Sequence, residues 1–325
     1  MKRYYTYFKV VVIALYSVLL TACSDDTLPY GELVADTFQI DVAQEDRHLT
    51  FDVDRSASIY LKVKEGVSWY VSSKPDWISM TEYGSGSGNL TVSVIEDNNS
   101  DVVRQGVISL TTGRFNNVTE IDVEQTGGYI KAQEVLEFPA MSDSKTFAVE
   151  SNVSWRFSTN NNSLIETANP KNGSPGITMV TIQSKTNTKA TDDIENLTIE
   201  PDYSGGVSSV TPWILQLKRE KVILETEIIN NNTWFTTAGG SFILNIKSNS
   251  NWMINNLDSW LKPNAYSGSK NQNITFIVEN NTGLSRSCTF CVESGEVQTF
   301  IWIGQEGMPI PTEDDNITPQ YIQKK

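Results

Sequence analysis

The sequence predicts an all-β protein composed of three tandem immunoglobulin-like β-sandwich domains. Short segments alternate apolar and polar residues, as in 38–42, 49–53 and 90–94 and again in 242–246. This period of two indicates antiparallel strands with one buried face. About seven such strands in roughly 90 residues is typical of an immunoglobulin-like sandwich. No segment shows a sustained apolar stripe of helical period.

A tryptophan pair spaced by eight residues occurs twice, as Trp69 with Trp77 and as Trp252 with Trp260. A middle segment carries one counterpart, Trp155. Self-similarity at a fixed period indicates an array of small domains. Two further marks recur in each unit, an Ile or Leu followed by Thr and a closing Gln: Leu90, Ile177 and Ile274, then Gln125, Gln216 and Gln305.

These marks predict sandwiches at 37–128, 129–220 and 221–307, followed by a flexible tail at 308–325. A domain of about 90 residues has a thin core. One buried indole of about 200 Å² contributes up to ~5 kcal/mol, which is comparable with the net stability of a small domain. The tryptophan shared by all three units is therefore expected to be a core residue: Trp69, Trp155 and Trp252.

The N-terminus is typical of an export signal. Basic residues precede an apolar run that ends at Leu20 and is shorter than a membrane span of ~20 residues. Leu20–Cys23 resembles a bacterial lipobox, which implies a signal peptide at 1–22, lipidation of Cys23 and a linker at 23–36. The acidic Ser24–Asp26 resembles a surface-export signal of Bacteroidetes lipoproteins. We therefore expect a lipid-anchored protein of the outer membrane, exposed at the cell surface.

Composition and motifs argue against several functions. With 39 acidic and 25 basic residues the net charge is −14, which disfavours nucleic acid and anionic lipid as partners. A lone His48 has no accompanying nucleophile motif, so we expect no enzyme, no catalytic residue and no cofactor. Asp97–Asp101 resembles the start of a calcium loop but lacks its Gly and Glu, so we expect a turn and no metal. Cys288 and Cys291 would face opposite sides of a strand, too far apart for a disulfide.

The order of these marks resembles the BACON domain, the Bacteroidetes-associated, carbohydrate-binding, often N-terminal module. The first copy carries the pattern in Val67–Trp69, Asp76–Ile78, Gly86–Gly88, Asn98–Asn99, Arg104–Gly106 and Val123–Gly127. The third copy carries it in Trp252, Ser259–Leu261, Asn280–Asn281, Arg286–Ser287 and Gly304–Gly307. The middle copy lacks the second Trp and the Arg. The resemblance implies an immunoglobulin-like sandwich and a carbohydrate role, although such modules also act as spacers.

Exposed aromatic rings are the candidates for glycan binding, because sugar faces stack on them. Tyr83 and Tyr266 each follow the second Trp of their copy by six residues and begin a Gly- and Ser-rich loop, where binding residues concentrate. Trp77, Trp260 and Trp234 are further candidates. Because strand neighbours point to opposite faces, either Trp234 or the adjacent Phe235 should face outward.

Two functions stay open at this point. The first is non-catalytic binding of a polysaccharide or host glycan beside outer-membrane glycan-uptake proteins, with membrane contact through the lipid anchor only. The alternative is a structural spacer or protein-interaction module without carbohydrate affinity, in which the candidate aromatic residues have structural roles.

Overall fold

The computed structural model describes residues 38–114, 117–158 and 163–308. Within these ranges the chain forms strands and two short 3₁₀ turns, which confirms the all-β prediction. The strands form six sheets, three with four strands and three with five. The predicted signal peptide, Cys23, the 23–36 linker and the tail after Met308 lie outside the described residues, so these expectations stay predictions.

The first sandwich packs a four-stranded sheet against a five-stranded sheet. Its strands are β1 (Asp41–Val42), β2 (His48–Phe51), β3 (Ser56–Lys62), β4 (Ser68–Ser73), β5 (Ile78–Met80), β6 (Tyr83–Ser85), β7 (Gly88–Val94), β8 (Arg104–Thr111) and β9 (Val118–Gln125). The sheet orders are β1-β3-β7-β5 and β2-β9-β8-β4-β6. The short β2 runs parallel to β9, whereas the other pairings are antiparallel.

The second sandwich repeats this arrangement. Its strands are β10 (Ile130–Lys131), β11 (Val135–Phe138), β12 (Ser144–Ser151), β13 (Trp155–Phe157), β14 (Ile165–Asn169), β15 (Asn172–Gly173), β16 (Gly176–Ser184), β17 (Asp193–Pro201) and β18 (Trp213–Arg219). The sheet orders are β10-β12-β16-β14 and β11-β18-β17-β13-β15. Strand β11 runs parallel to β18, as β2 does to β9.

The third sandwich has the same topology. Its strands are β19 (Leu224–Ile228), β20 (Trp234–Phe235), β21 (Gly240–Ser248), β22 (Asn251–Asn255), β23 (Leu261–Pro263), β24 (Ser267–Ser269), β25 (Gln272–Val278), β26 (Arg286–Ser294) and β27 (Val297–Gln305). The sheet orders are β19-β21-β25-β23 and β20-β27-β26-β22-β24. Strand β20 is an edge strand that runs parallel to β27.

Each sandwich has its own hydrophobic core, built from the inward residues of both sheets. Strand β27 shows the alternation clearly, since Ile301 and Ile303 are buried and Phe300 and Trp302 are exposed. Trp69, Trp155 and Trp252 lie in the three cores, as the repeat predicted. A glycine of the neighbouring edge strand lies against each ring: Gly84, Gly173 and Gly268.

The chain groups into two compact units. Among the described residues, the first unit comprises those from Phe38 to Glu96 together with Val103–Thr126, and the second comprises Asp97–Val102 together with those from Gly127 to Met308. The second unit contains two sandwiches, which meet where the Glu296 N–H donates to the Thr188 carbonyl (2.7 Å). Gly295 precedes this bond with a φ of +57° and leaves no room for a side chain beside Thr188. In the described part of the chain, no helix has the length and apolar character that crossing a membrane requires.

Candidate functional site

The second tryptophan of each pair closes one end of its sandwich. The Arg104 guanidinium lies 4.8 Å from the centre of the Trp77 ring, and Arg104 Nε donates to Gln125 Oε1 (2.8 Å). In the third sandwich Arg286 lies 4.5 Å from the Trp260 ring and donates to Gln305 Oε1 (2.9 Å). Each guanidinium also donates to backbone carbonyls near the end of the preceding strand. The recurring Trp, Arg and Gln are therefore one structural network.

This network corrects the expectation that Trp260 binds glycan, whereas the expectation for Trp77 stays a prediction. Trp260 is only 6% exposed, and its Nε1 donates to the Asp258 carboxylate (3.2 Å). Trp77 is half-buried against the core of the first sandwich. An arginine lies over one face of each ring, so that face is not open to stacking by a sugar.

The second sandwich replaces the network with an ion pair. Arg219 takes the strand position of Gln125 and Gln305, and Asp193 takes that of Arg104 and Arg286. Gln216 is therefore not the counterpart of the other two glutamines, contrary to the spacing. Arg219 bonds Asp193 and the Lys185 carbonyl. Burial opposes ionisation of Asp193, but hydrogen bonds from Arg219 and Lys189 lower the pKa of this carboxyl below its usual value.

Two other recurring positions of the second copy also differ from those that the residue spacing predicted. Leu164 accepts a backbone hydrogen bond from Lys185 where Trp77 and Trp260 accept the equivalent bonds, so Leu164 occupies the place of the second Trp. Ile177 is 72% exposed and lies outside the core, whereas Val180 packs in it. The Ile-Thr mark of the middle copy was therefore out of register.

The two candidate tyrosines do not occupy equivalent positions. Tyr83 is 78% exposed and lies on edge strand β6, opposite Tyr70. Tyr266 precedes strand β24, and its carbonyl accepts from the Ile254 N–H, as the Glu82 carbonyl accepts from Val71. The equal spacing of six residues thus conceals a shift of one position. Both rings are exposed, but Tyr83 belongs to an edge strand rather than a loop tip.

A buried asparagine shapes the turn that follows the four-stranded sheet in every sandwich. The side-chain oxygen accepts from a backbone N–H two residues on, and the amide donates to a nearby carbonyl, in Asn98, Asn187 and Asn281. The Asp97–Asp101 segment is thus a turn organised by Asn98. In the described ranges, no three His, Cys, Asp or Glu side chains are grouped so as to hold a metal ion.

The third sandwich carries a pair of stacked indoles on its outer face. Trp234 and Trp302 have ring centroids 5.9 Å apart and planes inclined by 23°. They are 48% and 46% exposed, while the neighbouring Phe235 is buried. Trp234 was expected as a candidate, and one ring of this dipeptide does face outward. Trp302 was missed as a binding candidate, although its alternation with Ile301 and Ile303 is the signal for exposure.

Gly304 allows the two indoles to lie over the sheet. It pairs with Trp234 across the parallel strands, and its outward side points beneath both rings. A Cβ at Gly304 would overlap ring atoms of Trp234 and lie 2.7 Å from Trp302. Phe300, 66% exposed, continues the row along β27. We call Trp234, Trp302, Phe300 and Gly304 the aromatic strip.

The aromatic strip is specific to the third sandwich. The strand pairings place other residue types at the same four positions in the first sandwich: Thr50, Asp122, Glu120 and Glu124. The second sandwich has Glu137, Gln216, Ile214 and Lys218 there. The first and second sandwiches have the same topology without these rings, so the shared fold does not depend on them. In the first sandwich, the corresponding outer face has a shallow cleft of about 430 Å³. Its lining includes His48, Asp122 and Glu124.

The two free cysteines behave as the sequence predicted. Both are buried on β26, with Cys288 in the core and Cys291 on the other face, opposite Phe300. Burial raises the pKa of both thiols, so they stay protonated near neutral pH.

Comparisons with known proteins gave one family match and several similar solved structures. The BACON family model, described as "Putative binding domain, N-terminal", matches residues 67–126 and 250–306. A titin I9–I11 tandem is similar at 11% identity, with 83% of this chain and 100% of that chain covered and a TM-score of 0.43. A Bacteroides ovatus GH5 xyloglucanase in complex with a heptasaccharide is similar at 19% identity, with 28% and 19% covered and a TM-score of 0.23.

An endo-fucoidan hydrolase of glycoside hydrolase family 107 is similar at 11% identity, with 83% of this chain and 44% of that chain covered and a TM-score of 0.29. The chain thus spans less than half the length of the two enzymes. No curated protein matches it. The family match and the tandem sandwiches support a module that binds carbohydrate or protein. The regions that match the BACON family model lie in the first and third sandwiches, which is consistent with a BACON-containing protein.

Proposed function

We propose that this protein is a non-catalytic glycan-binding module whose binding surface is the aromatic strip of the third sandwich. The observation that carries the proposal is the stacked, half-exposed pair Trp234 and Trp302. Each ring is fixed by its partner and by the sheet beneath it. A fixed ring loses little conformational entropy when a ligand binds, so the stacking energy is largely retained as affinity.

The contrast among the sandwiches supports a binding role. The shared fold does not require an aromatic residue at this position, since the counterparts of Trp302 are the polar Asp122 and Gln216. A contiguous exposed apolar patch marks an interaction surface. Indoles suit the C–H-rich faces of sugars, because the ring presents a flat apolar surface.

The cellular setting is proposed from the sequence. The lipobox-like Leu20–Cys23 supports a lipid anchor at Cys23 in the outer membrane, and the acidic residues after it support exposure at the cell surface. A glycan-binding module in this position would hold polysaccharide near outer-membrane uptake proteins.

The test is a glycan array probed with the chain from residue 27 onward, followed by calorimetry on the best ligand. We expect W302A to weaken binding by at least ~30-fold, since a central tryptophan contributes about 2 kcal/mol or more. The matched control is Q216A, which changes the same strand position in the second sandwich. Binding of no glycan, or binding unchanged by W302A, would overturn the proposal.

Protein binding is the second candidate, because exposed tryptophans are also enriched at protein interfaces. Sedimentation of the wild-type protein and W302A separates one form of this candidate. Self-association that W302A abolishes, without glycan binding, would assign the strip to contact between copies of the chain.

A further inference from the structure

We infer that the ligand of the aromatic strip is an uncharged, extended glycan that lies along β27 and covers more than one ring. This inference rests on the proposed function and adds the charge class and the binding direction of the ligand. It is carried by the outward residues of the five-stranded sheet that contains the strip.

The outer face of this sheet is nearly free of charge. Its outward residues, read from the strand pairings, are Trp234; Gln298, Phe300, Trp302 and Gly304; Ser287, Thr289, Cys291 and Glu293; Asn251, Met253 and Asn255; and Ser267 and Ser269. Glu293 is the only Asp, Glu, Lys, Arg or His residue among them. Its carboxylate accepts a hydrogen bond from Gln298 Nε2 (3.2 Å).

The absence of lysine and arginine from this set argues against an anionic glycan. A carboxylate or sulfate held on the face would lose hydration and find no cationic partner. The net charge of −14 adds long-range repulsion of anions. The same face in the other sandwiches is charged, with Asp122 and Glu124 in the first and Lys218 and Arg156 in the second.

The direction of binding follows from the strand geometry. Phe300, Trp302 and Gly304 alternate on β27, so their outward positions are about 6.7 Å apart and span about 13 Å. Trp234 lies beside Gly304 and leans towards Trp302. The three aromatic rings therefore form a row along the strand that is longer than a single sugar ring.

Hydroxyl and amide groups flank this row. Ser287 and Thr289 face Gly304 and Trp302 from the adjacent strand, about 4.8 Å away. Asn255 lies one strand further, in line with Phe300 across the buried Cys291. These neutral groups both donate and accept hydrogen bonds, which matches the hydroxyls of an uncharged sugar chain.

The charge class is tested with two sets of polymers. Affinity electrophoresis would compare neutral polymers (hydroxyethylcellulose, mixed-linkage β-glucan, galactomannan) with anionic ones (polygalacturonate, heparin), each at low and high salt. We expect retardation only by a neutral polymer and no salt dependence of that binding. Retardation by the anionic set as strong as by the neutral set would overturn the inference.

The direction is tested with oligosaccharides of two and six units from the polymer that binds. F300A should weaken binding of the hexamer at least fivefold and leave the dimer within twofold, whereas W302A should weaken both. I214A, at the corresponding position of the second sandwich, is the control. F300L serves if F300A unfolds, since leucine keeps an apolar side chain opposite Cys291 but lacks a flat ring.

The outcomes separate the two proposals. Equal effects of F300A on both oligomers, or no effect on the hexamer, would refute the extended row while leaving glycan binding through Trp302 intact. Failure to bind any polymer or oligomer would refute glycan binding itself, and this inference with it.

Discussion

Replacing Trp69 with alanine removes the indole from the core of the first sandwich. Trp69 is 9% exposed, and its Nε1 donates to the Gly86 carbonyl (3.2 Å). Burying about 200 Å² at ~25 cal/mol per Å² gives up to ~5 kcal/mol, and Trp-to-Ala changes in cores cost about 3–5 kcal/mol. Net stabilities are about 5–15 kcal/mol, so W69A removes much of the stability of this sandwich.

Differential scanning calorimetry of the whole chain measures the effect. In a domain of 60–100 residues, 1 kcal/mol shifts the Tm by about 4–8 °C, so one transition should fall by at least ~12 °C. Hydrogen exchange assigns that transition, because β8 and β9 should lose protection in W69A while β26 and β27 keep theirs. The reason is that the third sandwich has a separate core around Trp252.

The control is Y83A, which removes a ring that is 78% exposed in the same sandwich. Surface substitutions stay within about 0.5 kcal/mol, so the Y83A transition should move by less than ~4 °C. If W69A also lowered the Tm of this transition by less than ~4 °C, the Trp69 indole would not be the main support of the core, and the reasoning would be wrong.

Three further predictions follow from the ends of the sandwiches and from the thiols. R286M should destabilise the third sandwich by about 2 kcal/mol in urea denaturation, because Gln305 loses its charged donor; an unchanged midpoint would contradict this. The pKa of Asp193 is lowered, so its contribution is present above the usual carboxyl pKa and is lost as pH falls below about 4; D193N should flatten the pH dependence of unfolding of the second sandwich in that range. Cys288 and Cys291 should resist iodoacetamide at neutral pH until denaturant is added, as mass spectrometry would show, whereas rapid native labelling would refute their burial.

Local patterns predicted the fold class and the core tryptophans. Alternation with a period of two depends only on which side of a strand each residue faces, so it can be read without the tertiary structure. The same rule predicted that one ring of Trp234–Phe235 faces outward, and Phe235 is indeed the buried one.

Residue spacing was a weaker guide than alternation. The distance from Trp69 to Gly84 is one residue shorter than that from Trp252 to Gly268, so the equally spaced Tyr83 and Tyr266 fall on different positions. The predictions that Gln216 and Ile177 match the marks of the other copies failed for the same reason. Insertions in loops change the spacing between equivalent strand positions. The prediction for Trp260 failed because its ring packs in the core of the third sandwich, beside Arg286, and these contacts join residues that are distant in the sequence.

The sequence by itself determined that this chain forms repeated β-sandwiches with a recurring indole in each core, because hydrophobic alternation and the recurring tryptophan are local properties. The tertiary structure alone decided which exposed rings meet. Trp234 and Trp302 are far apart in the chain, and they stack because β20 pairs in parallel with β27 and Gly304 leaves space beneath them. Long-range strand pairing of this kind is set by the whole core and not by the residues that it brings together.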